Sequence, residues 1–429
     1  MDQLRVERFF RGGFEPVGTL ASEGVFSLNF AYDEAYLSRP HAVPLSLSLP
    51  LSRRNYEIQE TLPFFEGLLP EGRALESIAR ELRVSPYATF DLLRSLGEEV
   101  IGAVRFLDET QELQRDHGYK PLSSEDIEQL SEKSELVVAR YLKSSRLSLA
   151  GAQHKVGLYI DESEPDDRRL YLPDGTAAST HIVKTANNAY PGIIYNEYFC
   201  LTLARACGLA VPDAEIIKTS RPMLAIRRFD RVIDESCILY DGLSSPDRLH
   251  QEDFCQALGI ERSKKYEAGV NDYPKMISEC IRAVSAHPLQ DVEALALFMT
   301  FCYLIGNCDN HMKNLSIVFS RDYQTLRLAP FYDLACTTMY ALDREMGLRI
   351  GSTRVIDKVV REDFALLGAS LGVGARRMLR LLDDMRERLS EAIESVTIAA
   401  FLKEFEQADE IVQEISQGAM GRIQTTGVS

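Results

Sequence analysis

A chain of 429 residues with 45% apolar side chains is long enough for two or three domains with real cores. Its 48 basic and 64 acidic side chains leave a formal charge of −16, which excludes DNA binding carried by the surface as a whole, because phosphate neutralisation needs Lys and Arg. The eight cysteines lie between Cys200 and Cys336 with no Cys-x-x-Cys pair, which excludes a zinc framework and a secreted disulfide scaffold and fits buried thiols of a reducing cytosol. Met1-Asp2-Gln3-Leu4-Arg5 carries no apolar signal core, so a cytoplasmic chain without a membrane role is expected.

In chain order, residues 1 to about 107 read as a small α+β module. Residues 18–20 and 26–32 predict strands, the second by its period-two alternation. Residues 44–50 form an alternating Leu/Ser run closed by prolines, a helical stretch starts at Phe64, a further helix ends at Gly97, and residues 100–107 predict a last strand. Residues 108–143 are polar and read as a linker with one helix over 124–138, capped by Ser123 or Ser124.

Residues 144–155 are small and polar and precede a strand over 156–160. Such a loop can fold over nucleotide phosphates and offer backbone N–H groups, and a plain surface loop fits equally at this point. The strand 181–184 ends in Lys184, and the helix over 191–209 carries Glu197 near its start. A strand lysine followed by a helix glutamate is the ion pair that positions ATP phosphates in kinases; a solvated lysine and acid are the plain alternative.

The apolar run 294–305 predicts a buried helix too short to cross a bilayer. Gly306-Asn307-Cys308-Asp309-Asn310-His311-Met312-Lys313-Asn314 follows, then strands over 315–319 and 326–329 around a turn at 321–323, then Pro330-Phe331-Tyr332-Asp333. An Asp with an Asn five residues on also fits a surface turn. The order helix, loop, hairpin, second Asp is what a kinase catalytic lobe needs. Asp309 would meet the attacking hydroxyl, and the hairpin would bring Asn314 and Asp333 to one magnesium ion.

Six motifs in series carry a resemblance. They are residues 148–155 (Ser-Leu-Ala-Gly-Ala-Gln-His-Lys), Ile226-Arg227-Arg228-Phe229-Asp230-Arg231, Gln251-Glu252-Asp253, Lys265-Tyr266-Glu267, the Asp309/His311/Lys313/Asn314 loop and Pro330-Phe331-Tyr332-Asp333. With residues 44–50, 64–70 and 102–104 they cover nearly the whole chain, which resembles the HipA family of toxin kinases. The resemblance implies an α+β, two-lobed protein-kinase-like fold with an added N-terminal α+β subdomain and an all-α C-lobe. The implied domains are 1–107 as that subdomain, 108–143 as linker and helix, 144–240 as the kinase N-lobe and 241–429 as the C-lobe.

It implies an ATP- and Mg²⁺-dependent serine/threonine-protein kinase. Ala150, Gly151, Ala152, Gln153, His154 and Lys155 would border the nucleotide, with Lys184 on its α- and β-phosphates. Arg227, Arg228 and Phe229 would form the hinge that meets adenine. Asp309 would be the catalytic base, and Asn314 and Asp333 the metal ligands, while His311 and Lys313 would face the phosphate or brace the loop. Ser148 would be autophosphorylated, with Ser144 and Ser145 as rivals and Arg146 as a counter-charge. His154 departs from the family, where glutamate is common. The implied partners are a HipB-like helix-turn-helix antitoxin, operator DNA through that complex only, and a protein substrate in translation. Arg376, Arg377 and Arg380 would give a local basic face toward DNA backbone. A small-molecule kinase of the aminoglycoside-phosphotransferase kind and a non-catalytic corepressor are the rival expectations.

Overall fold

A computed structural model describes residues 2–24, 27–108, 118–132, 155–163, 169–395, 401 and 403–427. The chain falls into two compact units, one of residues 1–186, 215–262 and 318–325, the other of residues 187–214, 263–317 and 326–429.

The first unit opens with a hairpin of Asp2–Phe10 and Gly13–Ser22, turned by Arg11 and Gly12 at φ 50° and 80°. It lies in a five-stranded sheet ordered Asn55–Tyr56, Asn29–Tyr32, Gly13–Ser22, Asp2–Phe10, Val104–Asp108. Alternation along these strands points Leu4, Val6, Val17, Leu20 and Phe30 at Phe64, Phe65, Leu92 and Leu93 of the helices Ile58–Gly67 and Thr89–Leu96. The expected strand over 100–107 starts only at Val104, because Gly102 turns the chain at φ 78°.

A second sheet runs in the order Ala214–Ile217, Met223–Arg227, His181–Lys184, Lys155–Asp161, Arg169–Asp174, Gly118–Pro121. Its last strand corrects the reading of 108–143 as a linker with one helix. Four residues are too few for a visible period, and Pro121 is tolerated because the strand is at the edge. The helix that follows is described over Ser124–Glu132. Ile78 and Leu96 share one core with Val156, Leu158, Val183 and Met223, so the module of residues 1–107 and this sheet are packed together.

A buried ionic network joins the same two parts. The Glu99 carboxylate receives Arg228 Nη1 and Arg231 Nη2, each at 3.0 Å, and pairs with Arg248. Asp230 receives Arg228 Nε at 2.9 Å and Nη2 at 2.7 Å, and the Gly102 N–H at 2.7 Å. All five side chains are at most 2% exposed. Burial alone would raise the Glu99 pKa, but Arg231, Arg248 and Arg228 outweigh it and hold it at about 2.

Residues 44–50 make no strand. Leu45 and Leu49 are fully buried, and the Ser46 and Ser48 hydroxyls bond to the Gln256 carbonyl at 3.3 and 2.7 Å. Ser46 Oγ also lies 2.5 Å from Glu252 Oε2. Burial pushes the Glu252 carboxyl from its ordinary 4.5 up to about 8, with Asp253 adding to the shift and the Ser46 and Leu47 hydrogen bonds opposing it. Because the folded value is the higher one, this group's contribution to stability is full below pH 4.5 and is lost as pH rises through about 8. Glu252→Gln is therefore expected to gain stability relative to wild type between pH 5 and 8, by a few kcal/mol at the upper end (~8). Urea unfolding across that range checks it; parallel pH curves for the two proteins would contradict it.

The second unit is built on helices Ile193–Ala206, Tyr273–Val284, Pro288–Ile305, Arg361–Ser370, Ala375–Glu394 and Asp409–Thr425. Pro288–Ile305 starts six residues earlier than the apolar run suggested, since Pro288 occupies its first turn. Its 18 residues are long and apolar enough to cross a membrane by length and composition alone; in the fold it is the central helix, buried from Phe298 to Ile305. Residues 241–429 are not all helical, because Ser316–Phe319, Leu326–Leu328, Glu345–Ile350 and Thr353–Val355 are strands. The cysteines are all free thiols, and only Cys280 is not fully buried. On Ala375–Glu394, Arg377 is taken by Glu293 at 2.9 and 3.0 Å, so the expected basic face keeps only Arg376 and Arg380 exposed.

Candidate active site

Helix Pro288–Ile305 ends at Gly306, which is left-handed at φ 79° and turns the chain into the loop. The loop then winds on itself. The Asp309 N–H donates to Asn307 Oδ1 at 2.9 Å, the His311 N–H to the Asp309 carbonyl at 2.9 Å and the Asn314 N–H to the His311 carbonyl at 2.9 Å. Asn314 Nδ2 donates to the Asp309 carbonyl at 2.7 Å, so Asp309 and Asn314 are tied to each other and the Asn314 amide oxygen is turned away from that carbonyl.

The segment after the hairpin is stitched to both ends of this loop. Tyr332 Oη donates to the Lys313 carbonyl at 2.9 Å and shares a 2.6 Å hydrogen bond with Ser316 Oγ. Thr337 Oγ1 accepts the Cys308 N–H at 2.8 Å, and the Thr337 and Thr338 N–H groups reach the Gly306 carbonyl at 2.9 and 3.1 Å. Asp333 lies between these two seams with φ 59°, a left-handed conformation that Asp adopts more readily than most residues. Buried Asn196, on helix Ile193–Ala206, holds Cys336 from both sides: Nδ2 donates to its carbonyl at 2.9 Å and Oδ1 accepts its N–H at 2.8 Å. Sequence reasoning missed Asn196 and Thr337, whose partners are remote in the chain.

An amide oxygen and a carboxylate are hard donors that suit Mg²⁺. Among the described residues no group of three His, Cys, Asp or Glu could hold a metal. Mg²⁺ keeps waters and phosphate oxygens and takes only one or two protein ligands, so an Asn and an Asp have the donor chemistry for it.

The Asp309 side chain is 47% exposed and His311 only 5%, with Nε2 3.7 Å from Asp309 Oδ1. Tyr266 Oη donates to Asp309 Oδ1 at 2.6 Å, and its ring meets His311 edge-on at 5.0 Å. His311 is thus buried against Asp309 and Tyr266. Lys313 is buried too, at 6% exposure. Beneath the loop, the Gly347 N–H donates to the Cys308 carbonyl at 2.8 Å and to Asn310 Oδ1 at 3.0 Å. A Cβ on Gly347 would stand 2.7 Å from His311 N and 2.8 Å from His311 Cα, so only backbone movement could admit it. Gly347→Ala is expected to displace the loop and lower turnover about a hundredfold, at about 1–3 kcal/mol of stability. Initial rates with circular dichroism of the same preparation check this; unchanged rates would contradict it.

In the first unit, Lys184 is 4% exposed and pairs directly with Lys155 across neighbouring antiparallel strands. Direct partners share one face of a sheet, so the two lysines lie side by side there. The Arg228 N–H donates to the Thr180 carbonyl at 2.9 Å and its guanidinium lies in the Glu99 network, so Arg228 is held internally, between Arg227, which pairs with Glu162, and Phe229. Ala150, Gly151, Ala152, Gln153, His154, Ser148, Ser144, Ser145 and Arg146 lie outside the described residues. Glu197, 2% exposed, belongs to the second unit.

Comparison with known proteins bears on this arrangement. A putative kinase, Y4mE, of Sinorhizobium fredii is 35% identical over 401 residues, covering 89% of this chain and 90% of its own. The serine/threonine-protein kinase toxin HipA of Shewanella oneidensis is 28% identical over 83% of this chain and 81% of its own. The solved HipA from the HipA, HipB and operator DNA complex of Shewanella oneidensis MR-1 shares the fold at a TM-score of 0.77, with 23% identity, over 98% of this chain and 97% of that one, which makes the fold the kinase-like α+β fold of HipA. The profile of the HipA N-terminal domain matches residues 12–107 and that of the HipA-like C-terminal domain residues 147–393, and on those matches this chain belongs to the HipA family.

Proposed function

We propose that the chain is an ATP- and Mg²⁺-dependent serine/threonine-protein kinase that acts as the toxin of a toxin–antitoxin pair. The observation that carries this reading is the double seam that holds residues 306–316 against residues 332–338, with Asp309, Asn314 and Asp333 between its two ends. Relatives named as kinases support it. Asp309 accepts the proton of the acceptor Ser or Thr hydroxyl as its oxygen bonds to the γ-phosphorus and the bond to the ADP oxygen breaks. Lys184, with Lys155 beside it, offsets charge on the nucleotide phosphates. Asn314 and Asp333 would hold Mg²⁺, which when bound neutralises phosphate charge. The hinge backbone around Arg227 and Phe229 would border adenine, and residues 150–155 would border the nucleotide.

Ser148 is the proposed autophosphorylation site. A phosphoserine there brings nearly two negative charges to a loop over ATP phosphates and turns the kinase off. A HipB-like helix-turn-helix protein is the proposed antitoxin, in keeping with the complex from which the solved relative comes, and operator DNA is bound through it. The proposed substrate is a cytoplasmic protein of translation, whose modification arrests growth. Incubating the purified chain and a cell lysate with γ-labelled Mg·ATP, then mapping phosphopeptides, tests the reading. Label on Ser148 and on a lysate protein is expected; label on small alcohols alone, or none, would contradict it.

A further inference from the structure

Tyr266 has no role in the reading above, yet it touches the reacting carboxylate. Its hydroxyl donates to Asp309 Oδ1 at 2.6 Å and its ring sits edge-on to His311 at 5.0 Å. The backbone on either side is pinned. The Met312 N–H donates to the Lys265 carbonyl at 3.3 Å, and the Glu267 N–H to the Gly347 carbonyl at 2.9 Å. Fully buried Glu267 accepts the Tyr273 N–H at 3.0 Å and the Arg349 N–H at 2.6 Å, and pairs with Arg349 Nε at 2.7 Å. The same loop that carries Tyr266 is therefore fixed to the strand that carries Gly347, beneath the catalytic loop.

We propose that Tyr266 is a positioning residue for phosphoryl transfer, its hydroxyl holding the Asp309 carboxylate in the orientation that meets the acceptor hydroxyl. This rests on the kinase reading. A carboxylate accepts at about four lone-pair sites, so a donor on Oδ1 leaves acceptor capacity on a side chain that is 47% exposed. A hydroxyl that merely mimicked the acceptor would have to leave at every turnover, whereas a tyrosine whose flanking backbone is hydrogen-bonded on both sides and whose ring meets His311 is built to stay. Holding a base within a narrow angular range is what makes it effective in the transition state.

Tyr266→Phe removes only the hydroxyl. The ring is 41% exposed and Phe keeps its contact with His311, so the fold is retained. The full chain and the variant are compared in two ways: steady-state phosphorylation, and the ¹³Cγ signal of Asp309 in Asp-labelled protein at fixed pH. The expected result is a kcat lowered about tenfold or more, a KM for ATP within about twofold of wild type, and a moved Asp309 signal. An unchanged or raised kcat in an active wild-type background, or an Asp309 signal that stays put, overturns the proposal and leaves the kinase reading standing. A wild-type chain that transfers no phosphate, with an Asp309 signal that does respond to the variant, overturns the kinase reading and the positioning role of Tyr266 in phosphoryl transfer with it.

Discussion

Asp309→Ala is expected to lower phosphoryl transfer about a thousandfold or more, within the range that general base catalysis supplies. The Asp309 side chain is 47% exposed and its neighbours Asn307, His311 and Asn314 are held through loop backbone, so its removal leaves the loop's internal hydrogen bonds standing. The thermal midpoint should move by no more than a few degrees. Nucleotide affinity should be largely kept, because the proposed role of Asp309 is toward the acceptor hydroxyl and not the phosphates. Asp333→Ala should differ in kind, weakening Mg·ATP binding as well as turnover. Single-turnover phosphorylation with parallel nucleotide titration separates the two; a wild-type rate in Asp309→Ala would refute the assignment of the base.

Glu99→Ala is expected to cost about 3–5 kcal/mol of stability, the range for breaking a buried charge network by removing one partner. Three guanidinium groups, Arg228, Arg231 and Arg248, converge on Glu99 and Asp230, and the substitution leaves Asp230 alone among them. None of the five side chains can turn to water, since all are at most 2% exposed. Glu99 is held at about 2 against an ordinary 4.5, so its contribution is full above pH 4.5 and is lost only as pH falls through about 2. Urea denaturation at neutral pH measures the loss. A midpoint equal to wild type would show that the network adds nothing to the first unit.

What the sequence disclosed and what it withheld divide along a physical line. Asp309, Asn314 and Asp333 could be singled out as candidates because kinase chemistry would fix their spacing within one loop and one hairpin. His181–Lys184, Lys155–Asp161 and Ile193–Ala206 followed from local periodicity. Asn196 could not be found, because its amide serves Cys336, far along the chain. Thr337, Gly347 and Tyr266 act on the loop through contacts that no pattern within a window encodes. The strand Gly118–Pro121 was too short for its alternation to register, and the Leu/Ser alternation of 44–50 came from hydroxyls bonded to Gln256 rather than from a sheet. In Arg227-Arg228-Phe229-Asp230-Arg231, where the resemblance puts the hinge, the side chains of Arg228, Asp230 and Arg231 are spent on Glu99 and on one another, which the motif alone did not disclose. Charge in a motif does not by itself tell a ligand contact from a buried pair.

In the proposed reading, two stretches of chain, the loop 306–314 and the segment around Asp333, make one metal–nucleotide site. Crystals grown with Mn²⁺ and a non-hydrolysable ATP analogue test it most directly, through the anomalous signal of the metal. The expected peak lies about 2.1–2.3 Å from both Asn314 Oδ1 and an Asp333 carboxylate oxygen, against the analogue's phosphates. A metal bound elsewhere, or touching only one of the two side chains, would contradict the account.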